Sequence, residues 1–317
     1  MKAVLIDRPT KSEEIELVET SIPIIQSGWV LVKVKAFGIN HSEKLLRTFE
    51  IKNDYIKKPI IPGIECVGIV ENASDTDLKR GEKVIALMGG MGRSFNGSYA
   101  EYALLPRKNV FKIQSDLPFD LLGAIPETYF TAWGSLFECM HLTKEDTLLI
   151  RGATCALGYA AIKIAKALGA KVIGTTHRED KIPLLNECDE VILDDGELAD
   201  KVKVDKVLEL IGPKTVRDSL KCLYRGGIVC QTGLLGGVYT LEGFDPIKEI
   251  PNGCYLTGFF SNYPTQAIID EMFAFFNEKH LAPSVGKVYD FKDIRQALKD
   301  IDAHKVEGKV VIRIQSN

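Results

Sequence analysis

The chain has 317 residues, long enough for two independent cores, and its 45% hydrophobic and 26% charged residues are ordinary for a soluble globular protein. A net charge of −3 leaves no electrostatic footprint for nucleic acid or an anionic membrane, and no run of about 18 apolar residues is present to span a bilayer. The opening MKAVLIDRPTK is too short in apolar residues for a signal peptide, and the seven cysteines (66, 139, 155, 188, 222, 230, 254) form no CxxC pair, so reduced thiols and a cytosolic setting are expected.

Residues 1–110 read as β-rich. In WVLVKVKAFGIN (29–40), Val30, Val32, Val34 and Ala36 share one face and Lys33 and Lys35 the other, the pattern of a half-buried strand. Short apolar runs at 67–70 and 83–88, broken by Gly, Pro and Asn, suit a barrel. Between strands, Met88–Gly97 holds four glycines and two methionines and reads either as a mobile lip over a substrate or as a plain flexible connection.

The pattern changes near 115–125. Short buried strands at 147–151, 171–175, 190–193, 205–210, 226–231 and 254–260 then alternate with helical segments, which predicts a parallel, doubly wound sheet. In the first crossover helix Leu157, Ala161, Ile164, Ala165 and Leu168 fall on one face, with Lys163 and Lys166 opposite. Helices near 265–279 and 291–301 and a closing strand GKVVIRI follow a sheet that is already complete, so this tail is expected to rejoin the N-terminal part. The expected organisation is α/β, with residues 1–123 and 263–317 forming one domain and 124–262 an inserted one. The cleft between them is the default site.

The stretch LLIRGATCALGYAAIKIAKALGAKVIGTTHR (148–178) carries the chemistry. It reads as strand, tight turn, helix, strand, the unit that seats a dinucleotide pyrophosphate on a helix N-terminus. The turn is written Ala153-Thr154-Cys155-Ala156-Leu157-Gly158 where a dinucleotide fingerprint shows G-x-G-x-x-G. Cys155 stands where the phosphates come closest, Ala156 follows, and Gly158 remains for helix packing. Both intruding side chains are small, so a displaced pyrophosphate can fit; a vestigial nucleotide unit is the competing reading. The second strand ends Thr175-Thr176-His177-Arg178, with Lys181 behind and no carboxylate to hold a ribose 2′-hydroxyl. A guanidinium and an ammonium there favour a 2′-phosphate and hence NADP. The plainer reading makes Arg178 and Lys181 a solvated helix start, and the Glu179-Asp180 pair beside them counts against phosphate.

These segments together resemble the medium-chain dehydrogenase/reductase superfamily, in its zinc-free quinone-oxidoreductase-like branch. FGIN (37–40), PGIECVGIV (62–70), GSYAEY (97–102), ETYFTAW (127–133), DKVLELIG (205–212) and GKVVI (308–312), with the opening MKAVLI, follow the family's motifs in order along the whole chain. The resemblance implies a GroES-like β-barrel split around a Rossmann domain, an NADPH-dependent reductase, and a homodimer paired through the last Rossmann strand at about 254–260. The family's phosphate loop keeps a glycine pair that ATCALG lacks. Zinc-dependent members carry a Gly-His-Glu motif; here it reads Gly63-Ile64-Glu65, and the other ligand segments, GINHSEKLLR and Pro126–Thr131, have no cysteine. No metal is therefore expected. A site built from His41, Glu65 and Cys66 is the alternative, against Cys66 as a small core residue.

Without a Lewis acid to lower an alcohol's pKa, conjugated acceptors suit hydride transfer better than plain alcohols. By resemblance, Asn40 and Thr131 line the nicotinamide end, Thr232, Gly233 and Leu234 and then Phe259 and Phe260 flank ring and ribose, and Lys309 lies near the cofactor phosphates. His41, Tyr129 and Arg47 are the candidate proton donors or polarising groups; a loop histidine, a packing tyrosine and a helix-end ion pair are the plainer readings of the three. The function expected is reduction of quinones or α,β-unsaturated carbonyls. A nucleotide-binding sensor or partner-binding module with little turnover is the alternative, and a zinc alcohol dehydrogenase a more distant one.

Overall fold

The computed structural model describes residues 1–315, so the last two residues of the expected 263–317 span lie outside it. In chain order its strands are β1 (Lys2–Val4), β2 (Leu17–Glu19), β3 (Trp29–Gly38), β4 (Glu65–Asn72), β5 (Lys83–Leu87), β6 (Tyr102–Pro106), β7 (Val110–Lys112), β8 (Thr147–Arg151), β9 (Lys171–Thr176), β10 (Glu190–Leu193), β11 (Val204–Glu209), β12 (Leu223–Gln231), β13 (Tyr255–Gly258), β14 (Lys287–Asp290) and β15 (Val310–Arg313). The α-helices are α1 (His41–Thr48), α2 (Phe119–Leu122), α3 (Pro126–Trp133), α4 (Ala156–Leu168), α5 (Val216–Lys221), α6 (Pro246–Glu249), α7 (Gln266–Glu278) and α8 (Ile294–Asp302). The chain divides into two compact units, Met1–Glu127 with the chain from Asn262 onward, and Thr128–Ser261.

In the first unit β3 is the centre of a seven-stranded sheet ordered β14-β15-β3-β4-β5-β7, with β6 also paired to β3. The alternation in 29–36 decides which side it buries. Val30, Val32, Val34 and Ala36 are almost wholly enclosed while Lys33 and Lys35 keep partial access to water. Two register shifts between β3 and β4 bend the sheet. Its inner face packs Phe37 flat against Tyr99, ring centroids 4.8 Å apart, and edge-on to Phe291. The chain after 262 contributes α7, α8, β14 and β15 to this unit, and β15 pairs antiparallel with β3.

The Met88–Gly97 segment is neither a lip nor a loose connection. Met91 is 1% exposed, Gly89 N–H donates to Asn262 Oδ1, and Arg93 binds Glu50 at 2.7 Å and the Ser42 carbonyl at 3.0 Å. Asn96 Oδ1 accepts from Ile61 N–H, and Phe95 meets Trp29 edge to face. Glycine richness here lets the chain turn tightly enough to be tied down at several points.

The second unit is an all-parallel six-stranded sheet in the order β10-β9-β8-β11-β12-β13. The chain leaves β8 in one direction and returns to β11 on the other side, so the strand order reverses there. Crevices for ligands open at the carboxyl ends of the strands at such a reversal. One face buries Leu149, Ile173, Val207 and Val229 under Val216 and Leu220 of α5. Ala160, Ala161, Ile164 and Ala165 of α4 are buried, whereas Leu157 and Leu168, expected with them, are only half-buried. Helix α3 runs on into a π-helical turn over 134–139, which no sequence periodicity foretold. A Cβ on Gly134 would lie 2.0 Å from the Phe259 ring, so any larger residue there requires that ring to move. No helix of the described residues is long and apolar enough to cross a membrane.

Candidate functional site

In the second unit the turn after β8 leads into α4 with Cys155 as its N-cap. The Cys155 sulfur accepts from Gly158 N–H at 3.3 Å, a donor that a bound anion would otherwise take. Burial pushes the thiol above its usual range, against the pull of the helix-end N–H groups and Lys181. Gly158 packs where a Cβ would meet the Ala153 carbonyl oxygen at 2.2 Å, the close helix–strand approach expected of it. Ala153 is fully buried; Thr154, Cys155, Ala156 and Leu157 are partly open to water.

The end of β9 is polar without a carboxylate. Thr175 is fully buried and its hydroxyl accepts from Gly152 N–H, so it braces the turn from within. Thr176 is 2% exposed and stands 3.5 Å from Thr154 through their hydroxyls. Arg178 reaches the surface, where its guanidinium grips Asp180 through two bonds of 3.0 and 2.5 Å. That grip lowers the Asp180 pKa. The acidic neighbour that counted against phosphate in the sequence is thus the resident partner of Arg178.

Sequence reasoning missed the most heavily bonded charged group of this edge. Arg151, the last residue of β8, is completely buried. Its fork binds Asp194 at 2.8 and 3.0 Å, and the remaining nitrogen binds Asp218 at 2.7 Å, Ser219 Oγ at 3.0 Å and the Thr215 carbonyl at 3.2 Å. Glu209, opposite Arg151 in the register of β11 on β8, is also fully buried. Burial raises its pKa, opposed by donors from Ser219 and Gly212 and by the Arg151 charge. The signal was present: one Arg and one Glu interrupt the apolar runs LLIR and VLEL, and a charge in a strand covered on both faces demands a partner.

Farther along the edge, Thr232 and Gly233 donate their N–H groups to the Glu209 carbonyl. The Thr232 hydroxyl lies 2.9 Å from Ser135 Oγ and 3.3 Å from the Cys230 sulfur, and Ser135 in turn donates to the Thr131 carbonyl at 2.8 Å. Phe259 packs edge-on to Phe130, while Phe260 and Leu234 are exposed. Tyr129, a candidate proton donor, is 1% exposed and packed within this unit.

The first unit holds a second buried polar cluster. Lys309 (2% exposed) donates to Glu65 Oε1 at 2.5 Å and to Asn40 Oδ1 at 2.6 Å, and Asn40 Nδ2 donates to the same Glu65 oxygen at 2.7 Å. Glu65 Oε2 accepts from Glu127 N–H. Gly38, of the FGIN motif, gives this cluster its room: a Cβ there would sit 2.2 Å from Lys309 Cε. Lys309, expected near cofactor phosphates, is therefore an internal counter-ion; it holds the Asn40 amide oxygen while Glu65 holds the amide nitrogen. Beside it Glu43 is buried, accepting from Asn40 N–H, Ile64 N–H and the Tyr99 hydroxyl. Burial raises the pKa of Glu43 and, with the adjacent carboxylate, holds Tyr99 well above its usual value.

Arg47 is likewise a tether. It is 5% exposed, paired to Asp302 of α8 and bonded to the Thr10 carbonyl, so the ion-pair reading describes it better than a carbonyl-polarising one. His41 opens α1 at the surface, and partial burial of its ring together with Lys44 lowers its pKa. Among the described residues no three His, Cys, Asp or Glu side chains gather as a metal site, so His41, Glu65 and Cys66 do not form the alternative one.

A family model described as an alcohol dehydrogenase GroES-like domain matches residues 26–115, and one described as a zinc-binding dehydrogenase matches residues 187–312. The quinone oxidoreductase of Homo sapiens is 31% identical over 235 residues, which cover 69% of each protein. The quinone oxidoreductase of Coxiella burnetii shares the fold with a TM-score of 0.82 at 21% identity, covering 99% of both chains. A mycobacterial protein solved in complex with NADPH does so with a TM-score of 0.82 at 23% identity, again over 99% of both. With the parallel sheet and the seven-stranded unit already described, these likenesses settle the family. The chain belongs to the quinone-oxidoreductase-like branch of the medium-chain dehydrogenase/reductase superfamily, whose members are nicotinamide-dependent oxidoreductases.

Proposed function

We propose that the protein is an NADPH-dependent, zinc-independent reductase of quinones or α,β-unsaturated carbonyls. The observation that carries the choice of NADPH is the end of β9, where Thr176 is followed by His177 and Arg178 and the strand end offers no carboxylate for a ribose 2′-hydroxyl. Arg178 already makes a planar, two-bonded contact with a carboxylate, the geometry a phosphate also accepts. Its partner Asp180 is exposed, so exchange for a dianion is cheap. The turn Ala153–Gly158 fits a pyrophosphate with small side chains and the N-terminus of a 13-residue helix.

When bound, the reduced nicotinamide supplies a hydride, and a conjugated acceptor disperses the resulting charge onto a distant oxygen. Zinc independence rests on the donor set: Ile64 has no ligating atom, and Glu65 is committed to Lys309. With Tyr129 packed and Arg47 paired, the remaining side chains from the predicted set able to face a substrate are few, which suits protonation by water. Pairing of two copies along β13, an edge strand whose Tyr255 is 59% exposed, is part of the same reading.

A second reading, nucleotide binding with little turnover, draws on the Cys155 cap, which occupies a helix-end donor. Titration of NADPH fluorescence followed by a panel of quinones and enals separates the two. The reductase reading expects saturable binding and NADPH oxidation with at least one acceptor; tight binding without oxidation across the panel leaves only the second. About one zinc per purified chain by elemental analysis would overturn the metal-free part.

A further inference from the structure

We propose that Arg151 is a positioning residue for the nicotinamide cofactor, one guanidinium that fixes the loops at the carboxyl ends of four strands. The inference rests on the cofactor reading above.

Its restraints pass outward through the groups it binds. Asp194, just after β10, takes two bonds from Arg151, accepts from Gly196 N–H at 2.8 Å and donates its own N–H to the Thr176 carbonyl at 2.8 Å. Thr175 Oγ1 lies 3.4 Å from Asp194 and accepts from Gly152 N–H, which ties in the turn after β8. Asp218 takes a bond from Arg151 and accepts from Leu198 and Ala199 N–H. Ser219 carries the chain to Glu209 at 2.5 Å, and Glu209 accepts from Ile211 and Gly212 N–H. The turn after β8, the end of β9 and the loops after β10 and β11 are thereby joined through one side chain.

Placement argues for position rather than stability. Buried ion clusters contribute little net stability compared with apolar packing of the same volume, so a core has no need of one. This cluster lies at the carboxyl edge, where the strand order reverses and ligands bind. It also braces a turn in which side chains replace the glycines that would let phosphate approach freely. Such a turn tolerates little displacement before Cys155 or Ala156 obstructs the ligand.

Arg151→Lys keeps the charge and loses the fork that serves two carboxylates; Asp194→Asn keeps the size and loses one charged arm. In the full-length protein, each is expected to weaken NADPH binding about tenfold by fluorescence titration, to raise KM for NADPH similarly, and to lower kcat no more than about threefold. Amide hydrogen exchange at Leu198, Ala199, Ile211 and Gly212 should quicken while exchange within β8 and β11 holds. Quickened exchange with unchanged NADPH affinity would overturn the proposal, since a merely structural brace behaves that way. So would unchanged exchange in both variants. Wild-type protein that binds neither NADPH nor NADH overturns the cofactor reading and this inference together; wild-type binding with unaltered variants overturns this inference alone.

Discussion

Lys309→Met tests the buried pair of the first unit. Lys309 and Glu65 are 2% and 0% exposed in their side chains and 2.5 Å apart. At an effective dielectric of about 20 that separation corresponds to roughly 7 kcal/mol of attraction, opposed by a desolvation cost of several kcal/mol for each ion. Methionine fills much of the lysine volume but leaves Glu65 buried with only the Asn40 and Glu127 donors. The expected loss is about 3–5 kcal/mol, the range for stranding one member of a buried pair. Glu65→Gln combined with Lys309→Met removes the stranded charge, so the double variant should lose clearly less than the sum of the single ones.

The assay has to isolate this unit, because a chain with two cores need not unfold in one step. The two tryptophans allow it: Trp29 lies in the first unit and Trp133 in the second. In a Trp133→Phe background, urea denaturation followed by the fluorescence of Trp29 reports the first unit alone. A loss below about 1 kcal/mol for Lys309→Met, or strict additivity in the cycle, would refute the claim that Lys309 acts as the counter-ion of Glu65.

Three further outcomes are expected. Arg178→Ala should weaken NADPH about tenfold with little change for NADH, measured by fluorescence titration of each; equal losses would remove the basis for choosing NADPH. Burial pushes the Cys66, Cys222 and Cys230 thiols up to about 12, above the ordinary value of 9.0. A raised value in an acid means that this contribution to stability is intact below about pH 9 and is lost as pH climbs toward 12. Ellman's reagent at pH 8 should accordingly titrate at most the four partly exposed cysteines, 139, 155, 188 and 254, before denaturant is added, and fast release of a fifth equivalent contradicts the burial. Gly134→Ala should displace the Phe259 ring and cost about 1–3 kcal/mol in the second unit, read by thermal unfolding through Trp133; a neutral effect would mean that the π-helical turn yields easily.

The strands of the second unit were legible because a sheet covered on both sides writes itself as short apolar runs, and β8, β9, β10 and β12 lie where such runs fall. The first unit was legible through period-two alternation in β3. What escaped was whatever depends on partners distant in sequence. By resemblance Lys309 is expected near the cofactor phosphates, and only the fold brings it to Glu65, 244 residues away, and to Asn40, 269 residues away. Arg47 meets Asp302 across 255 residues, turning an apparent helix-end charge into a buried link between α1 and α8. Composition misled at 88–97, since glycines permit tight, well-bonded turns as readily as loose ones. Arg151 and Glu209 could have been suspected, because opposite charges at corresponding ends of two apolar strands suggest the lateral pairing that β8 and β11 make.

The broken glycine pattern of the β8–α4 turn presents a steric question rather than an electrostatic one. A cysteine at a helix N-terminus is commonly drawn toward the thiolate, and a thiolate there would repel a pyrophosphate. Here burial outweighs the helix-end donors and raises the Cys155 pKa, so near neutral pH the group at the proposed pyrophosphate position is an uncharged thiol. Its bond to Gly158 N–H is a sulfur contact of 3.3 Å, weaker than the charge-assisted bond a phosphate oxygen can make to the same donor. In the proposed cofactor site a pyrophosphate would therefore have only a weak cap to displace and no thiolate charge to overcome. The remaining obstacle is the volume of one thiol and one methyl group, set in a turn whose position is governed by Thr175 and, through Asp194, by Arg151.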